Sequence, residues 1–263
     1  PSKYQQTPSC PTVSNSILLR KSQEPTLKNT FVRKNLIFSY GWLSVVRKLF
    51  IATILAMLTI ILAMLTINSA RAEERFTIVV FGDSLTRGYG LPEEQGLVPQ
   101  LQRWLSENGG EYIDVLNAGL TGDTTAGGLA RIEWTLTEEV DAVIVALGGN
   151  DMLRGIMPAS SQDNLDGIVS ILSDRGLPVM LVGLPAPTNF GPEFKSEFDA
   201  MYEIIATKYD AMLYPYFFEG FGELQETAAI SRWMQADATH PNAEGVILIA
   251  KDMGPKVLQL AAQ

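Results

Sequence analysis

Short runs of β-branched and aliphatic residues alternate, beyond residue 75, with longer stretches whose apolar positions fall three and four apart. Residues 76–81 form the first short run. Residues 96–108 follow, with Leu97, Leu101, Trp104 and Leu105 at helical spacing, and stop at Gly109-Gly110. Residues 112–116 read as a second strand, and 124–139 as a helix with Leu129, Ile132 and Leu136 on one side. The run DAVIVAL, 141–147, is apolar enough to be buried on both faces of a sheet. Residues 165–175 read as a helix stopped by Gly176, and 178–184 as a fourth strand. A long amphipathic helix over 192–209, a fifth strand over 211–217 and a closing helix over 242–260 complete the pattern.

Strands separated by helices imply a parallel sheet with helices on both faces. The expected class is therefore α/β, a three-layer α/β/α sandwich around a five-stranded parallel sheet. Ligands of such sheets bind beyond the carboxyl ends of the strands. The polar motifs fall there: Asp83-Ser84 leaves strand one, Gly122 follows strand two, and Gly149-Asn150 leaves strand three.

The leading part is different. Residues 49–67 carry no charge, follow Arg47-Lys48, and contain the heptad ILAMLTI twice in tandem. Asn68-Ser69-Ala70-Arg71-Ala72 comes next, a small-x-small end suited to cleavage after Ala72. Residues 47–72 thus read as a secretory signal peptide, and the doubled heptad also reaches the lower length limit of a membrane anchor. Either way the basic flank stays inside and residues 73–263 are exported, to the periplasm or beyond the cell. Residues 1–46 are polar and unpatterned, and are expected to be an unstructured basic leader.

Charge sharpens this division. Residues 1–72 hold nine Lys/Arg and one acid, which leaves 11 basic and 28 acidic residues, a formal net of −17, for 73–263. So acidic a domain is not built for nucleic acid or for an anionic membrane surface. Membrane contact is expected only through an uncleaved N-terminal segment, and the domain is expected to be a monomer. The one cysteine, Cys10, lies in the leader, so the domain has neither a disulfide nor a thiol nucleophile. With a single histidine and no cysteine there, no metal and no cofactor is expected.

That histidine, His240, stands in Asp237-Ala238-Thr239-His240-Pro241. A carboxylate three residues before an imidazole can accept the Nδ1 proton and leave Nε2 as a base. Ser84, in Gly82-Asp83-Ser84-Leu85, can present its hydroxyl at the sheet end beside a helix N-terminus. Alone, such a serine more often merely caps the turn that follows. No G-x-S-x-G occurs, so the α/β-hydrolase elbow is absent. In Gly148-Gly149-Asn150-Asp151 the Asn150 amide can donate to an oxyanion, although the same tetrapeptide makes an ordinary turn. In Thr121-Gly122-Asp123-Thr124 the Gly122 N–H can do likewise, while Asp123 or Thr124 caps the next helix.

The stretches GDSLTRGYG, NAGLTGDTTAGGLARI, ALGGNDMLRG, LPAPTNFGPEF and WMQADATHPNAEG together resemble the GDSL/SGNH hydrolase family. Within it they are most similar to the periplasmic bacterial thioesterase, lysophospholipase and arylesterase branch. The likeness spans about residues 75–260. It implies a flavodoxin-like SGNH hydrolase fold and a serine ester hydrolase that forms an acyl-enzyme on carboxylic esters, thioesters and lysophospholipids. Carried over by position, Ser84 is the nucleophile, His240 the general base and acid, and Asp237 its orienting partner. Ser84 N–H, Gly122 N–H and the Asn150 side chain form the oxyanion hole. Asp83 and Asp151 are expected to hydrogen-bond the loops. Residues 185–194, with Pro187, Phe190 and Pro192, are a candidate acyl wall, and Met152, Leu153, Ile156 and Met157 a second. A carbohydrate O-acetylesterase would use the same residues on another leaving group.

Overall fold

The computed structural model describes residues 29–69, 75–225 and 231–263, in two compact units divided between Ala72 and Glu73. The first unit is one helix, α1 (Asn29–Ser69). Its stretch Gly41–Ala63 is 23 residues long with a mean hydropathy of 2.2, long and apolar enough to cross a membrane. Every side chain from 41 to 63 is exposed. The helix starts at Asn29, so over 29–46 the structure differs from the unstructured leader expected there. No proline interrupts the chain between Pro25 and the apolar run, and extending a formed helix costs far less than nucleating one. Residues 1–28 and the cleavage position after Ala72 lie outside the described residues.

The second unit alternates strand and helix as expected. Its strands are β1 (Phe76–Gly82), β2 (Ile113–Gly119), β3 (Ala142–Ala146), β4 (Val179–Val182) and β5 (Met212–Tyr214). All pair in parallel, in the order β2-β1-β3-β4-β5. β3 is buried along its whole length, as a central strand covered on both faces must be. The chain builds outward from β1 first through β2 and then through β3, so the order reverses at the β1/β3 boundary. Loops part there at the carboxyl ends and leave a crevice.

The helices are α2 (Ser84–Arg87), α3 (Leu97–Glu107), α4 (Thr125–Thr135), α5 (Gly149–Leu153), α6 (Pro158–Asp174), α7 (Pro192–Tyr209) and α8 (Ala243–Leu260). α3 packs on α8, while α6 packs on both α4 and α7, giving the two outer layers. Phe81, Leu101, Leu105, Ile144, Leu147, Leu165 and Phe198 are wholly buried between these layers, each contributing about 1.5–3 kcal/mol. α8 starts on Asn242, whose side chain accepts Gly245 N–H at 3.0 Å, a cap worth about 1 kcal/mol. That cap fixes where the loop carrying His240 must end.

Candidate active site

Ser84 opens α2 where β1 runs out. Asp83, the residue before it, caps the helix through Oδ1, which accepts Leu85 N–H at 2.9 Å. This turn leaves Ser84 largely buried, at 8 % exposure, with Oγ 2.8 Å from His240 Nε2. The histidine arrives on a tight loop. Gln235 N–H donates to His240 O at 2.8 Å, and Ala238 turns the chain with φ of +52°.

Asp237 is folded back onto its own loop. One oxygen accepts the backbone N–H groups of His240 and Thr239, both at 3.0 Å, and the other lies 2.8 Å from His240 Nδ1. The His240 backbone N–H, then its ring, then the Thr239 N–H hold the Asp237 carboxyl down to about 2. Ionised at neutral pH, it can only accept, so Nδ1 carries the proton and Nε2 is left as acceptor for the Ser84 hydroxyl. Tyr89 packs against the imidazole with ring centroids 4.8 Å apart. Gln235 joins the two loops, since its Nε2 donates to Tyr89 O at 2.8 Å and to Pro241 O at 3.0 Å.

Asn150 sits in the first turn of α5, at the end of β3, and its Nδ2 donates to Asp83 Oδ2 at 3.2 Å. Burial pushes the Asp83 carboxyl up to about 6, against the pull of Leu85 N–H, the Asn150 amide and His240; Asp123 adds to the rise. Gly122 lies on the turn after β2, where Asp123 N–H donates to Leu120 O at 3.0 Å and Gly122 has φ of +81°. Such a turn takes glycine at its third position and points that residue's N–H outward. Among the described residues no group accepts it. Leu120 N–H donates to Gly82 O at 3.0 Å, which stitches this turn to the end of β1. Arg154 grips it from the other side, donating Nη2–H to Gly122 O at 2.9 Å.

Ser84, Asn150 and His240 face one cavity of about 110 Å³, walled also by Asp83, Leu85, Gly149, Met152, Leu153, Leu184, Phe218 and Thr239. Asp237 stands behind His240, and Gly122 occupies the neighbouring turn rather than the cavity wall. Of the expected acyl walls, Met152 and Leu153 line the cavity. Ile156, Met157, Pro187, Phe190 and Pro192 do not; the Phe190 ring instead lies over Gly155, 3.1 Å from where a Cβ would stand. Leu184 and Phe218 join them: the first reads as the last residue of the fourth strand and the second falls just past the fifth, so neither stood out as a wall. Arg154, Tyr89 and Gln235 gave no pattern in the sequence beyond lying beside the motifs. Among the described residues no group of three or more His, Cys, Asp or Glu is placed to hold a metal ion.

The model of the GDSL-like lipase/acylhydrolase family matches residues 80–246, which hold all five of these motif positions. The chain belongs to that family. Esterase TesA of Pseudomonas aeruginosa is 42 % identical over 166 residues, 63 % of this chain and 79 % of that protein. Thioesterase 1/protease 1/lysophospholipase L1 of Escherichia coli is 32 % identical over 201 residues, 76 % of this chain and 90 % of that one. Among solved structures, the psychrotrophic esterase EstA from Pseudoalteromonas, inhibited by monoethylphosphonate, superposes with a TM-score of 0.64 at 30 % identity, covering 71 % of this chain and 99 % of that chain. This GDSL hydrolase is thus an SGNH-type esterase with the expected three-layer sandwich.

Proposed function

We propose that Ser84 is the nucleophile, His240 the general base and acid, and Asp237 the group that orients the imidazole. The observation that carries this reading is the unbroken line from Asp237 Oδ2 to His240 Nδ1, 2.8 Å, and from His240 Nε2 to Ser84 Oγ, 2.8 Å. Ser84 Oγ bonds to the acyl carbon as its proton passes to Nε2, and the carbonyl oxygen becomes an oxyanion. Ser84 N–H, Gly122 N–H and the Asn150 amide are its donors. Collapse expels the alcohol or thiol, which takes the proton from His240. Water then repeats the sequence on the acyl-enzyme and releases the acid.

The substrates are carboxylic esters, thioesters and lysophospholipids. Leu85, Met152, Leu153, Leu184 and Phe218 support an apolar acyl group, since they make most of the cavity hydrocarbon. The enzyme works as a monomer outside the cytoplasm, exported by the α1 segment that follows Arg47-Lys48. In support of export, the stretch Gly41–Ala63 is long and apolar enough to enter a membrane. An organophosphonate probe followed by peptide mapping is expected to modify Ser84, and Ser84→Ala is expected to abolish turnover of a chromogenic short-chain ester. Labelling elsewhere, or undiminished turnover, would sink the assignment. Activity confined to acetyl esters would favour a carbohydrate O-acetylesterase instead.

A further inference from the structure

Asp83 is buried in the wall of the site, yet the proton-transfer line through His240 does not use it. Its two oxygens are divided between two tasks. Oδ1 caps α2, and Oδ2 accepts from the amide of Asn150 at 3.2 Å. Gly149 packs so closely on that second oxygen that a Cβ there would stand 3.1 Å from it. A side chain at 149 would therefore crowd the carboxylate at its contact with Asn150.

We propose that Asp83 is a positioning residue for the oxyanion hole: by taking one amide hydrogen of Asn150, it aims the other at the substrate's carbonyl oxygen. This rests on the roles given above to Ser84 and Asn150. An ionised carboxylate has no hydrogen to give, so it matches only the NH₂ end of the amide. The amide is planar, so fixing one N–H bond fixes the direction of the second. A protonated Asp83 can donate, and Asn150 Oδ1 then becomes an equal partner after a half-turn of the amide. That half-turn takes the N–H bonds away from the developing negative charge.

Burial brings this exchange into the neutral range, since it pushes the Asp83 carboxyl up to about 6. The groups facing Asp83 are His240 across the cavity and Asp123, which is paired with Arg131 at 2.7 Å. Arg131 also donates to Gly82 O at 3.0 Å. The buried Tyr202 phenol completes the set, pushed up by burial, then by Asp151 and by Asp83 itself. His240 favours the ionised carboxylate and Asp123 opposes it.

Asp83→Asn decides the matter. If its one remaining amide oxygen stays on Leu85 N–H, its NH₂ faces Asn150 and imposes the half-turn at every pH. With a neutral short-chain ester, kcat is expected to fall by about 10²–10³, the loss of one oxyanion donor, with KM within about threefold. Asp83→Asn/Asn150→Ala is expected to be no slower than Asn150→Ala alone, because both changes remove the same donor. Protonation of wild-type Asp83 admits the turned amide as an equal alternative, so kcat is expected to step down by about twofold as pH falls through about 6, a step absent from Asp83→Asn. Gly149→Ala crowds the same oxygen without removing its charge and is expected to lower kcat too, which keeps the test open if Asp83→Asn does not fold. Losses that multiply in the double variant, or Asp83→Asn within fivefold of the wild type, would overturn the proposal while leaving Ser84 and His240 their roles. An unimpaired Asn150→Ala would overturn the donor role of Asn150, and the proposal with it.

Discussion

Asp237 uses its two oxygens on one residue, His240: the backbone N–H at 3.0 Å and the ring Nδ1 at 2.8 Å. The backbone bond fixes the carboxylate to the loop, so the ring bond fixes the imidazole to the same frame. Asp237→Asn keeps the shape, but its NH₂ can face Nδ1 and favour the tautomer with the proton on Nε2. That tautomer cannot accept from Ser84. We expect kcat to drop on the order of 10⁴-fold. Because the carboxyl is held at about 2, its own titration leaves the acid limb untouched above about pH 3. Steady-state kinetics on a chromogenic ester check this; a loss below tenfold would contradict the orienting role.

The Gly122 turn gives a second prediction. A Cβ at Gly122 would meet only Arg154 Nη2, at 3.7 Å, so space is not the obstacle. The obstacle is φ of +81°, which costs an L-residue about 1–2 kcal/mol and favours a different turn. Gly122→Ala is expected to lower kcat by about 10²-fold with little change in KM. Arg154→Ala, which frees Gly122 O, is expected to act in the same direction but more weakly, about tenfold. A raised KM with kcat unchanged in either variant would show a binding contact instead of oxyanion placement.

Both predictions start from motifs visible in the chain, and the fold was visible to a similar depth. All five strands and the carboxyl-end placement of Ser84 and Asn150 followed from period and punctuation. The helix over 192–209 was bounded to the residue, because Pro192 starts it and Asp210 ends it in the left-handed region. Errors came where tertiary contacts overrule local pattern. Helix α4 stops at Thr135 instead of 139, and Leu136 leaves it in extended conformation to bury its side chain. Strand β5 ends at Tyr214, before Pro215, which has no N–H for the ladder. Helix α6 begins at Pro158, seven residues ahead of the apolar spacing that marked it. Its first turns are polar on the inside, where Ser161 is buried against Asp151. No hydrophobic period can reveal a face that is buried by hydrogen bonds.

Asp83 predicts a conflict between stability and activity. The folded carboxyl titrates near 6 and the unfolded one near 3.8. The native state then binds that proton more tightly, so stability falls as pH rises between these values and levels off above about 6. A gap of about two pH units corresponds to roughly 3 kcal/mol. Asp83→Asn never ionises and escapes this loss. Its advantage over the wild type is expected to be absent near pH 4, to grow through pH 5, and to plateau above about 6 at no more than roughly 3 kcal/mol. Urea melts across that range measure it. A variant that gains nothing at neutral pH would show that folding does not raise the Asp83 carboxyl, the bonds to Leu85 and Asn150 outweighing burial more than the value of about 6 allows. Where the gain appears beside a fallen kcat, the site is trading stability for a correctly aimed donor.

Asp151, one residue after Asn150, obeys the opposite logic. It is wholly buried, and its oxygens accept Thr125 N–H at 2.9 Å, Thr125 Oγ1 at 2.5 Å and Ser161 Oγ at 3.1 Å. The carboxylate thereby ties α4, α5 and α6 into one frame under the site. Asp151→Ala strands three buried donors, and we expect a loss on the order of 3–5 kcal/mol, a fall in Tm of roughly 10 °C. Asp151→Asn is expected to cost far less, about 1 kcal/mol, because one amide oxygen satisfies Thr125 N–H and the two hydroxyls can rotate to accept from its NH₂. Hydroxyl partners adapt to an inverted donor pattern, whereas the amide of Asn150 adapts only by turning over. The same Asp→Asn change is thus expected to spare activity at 151 and to remove most of it at 83, and calorimetry with kinetics on the two variants compares them directly.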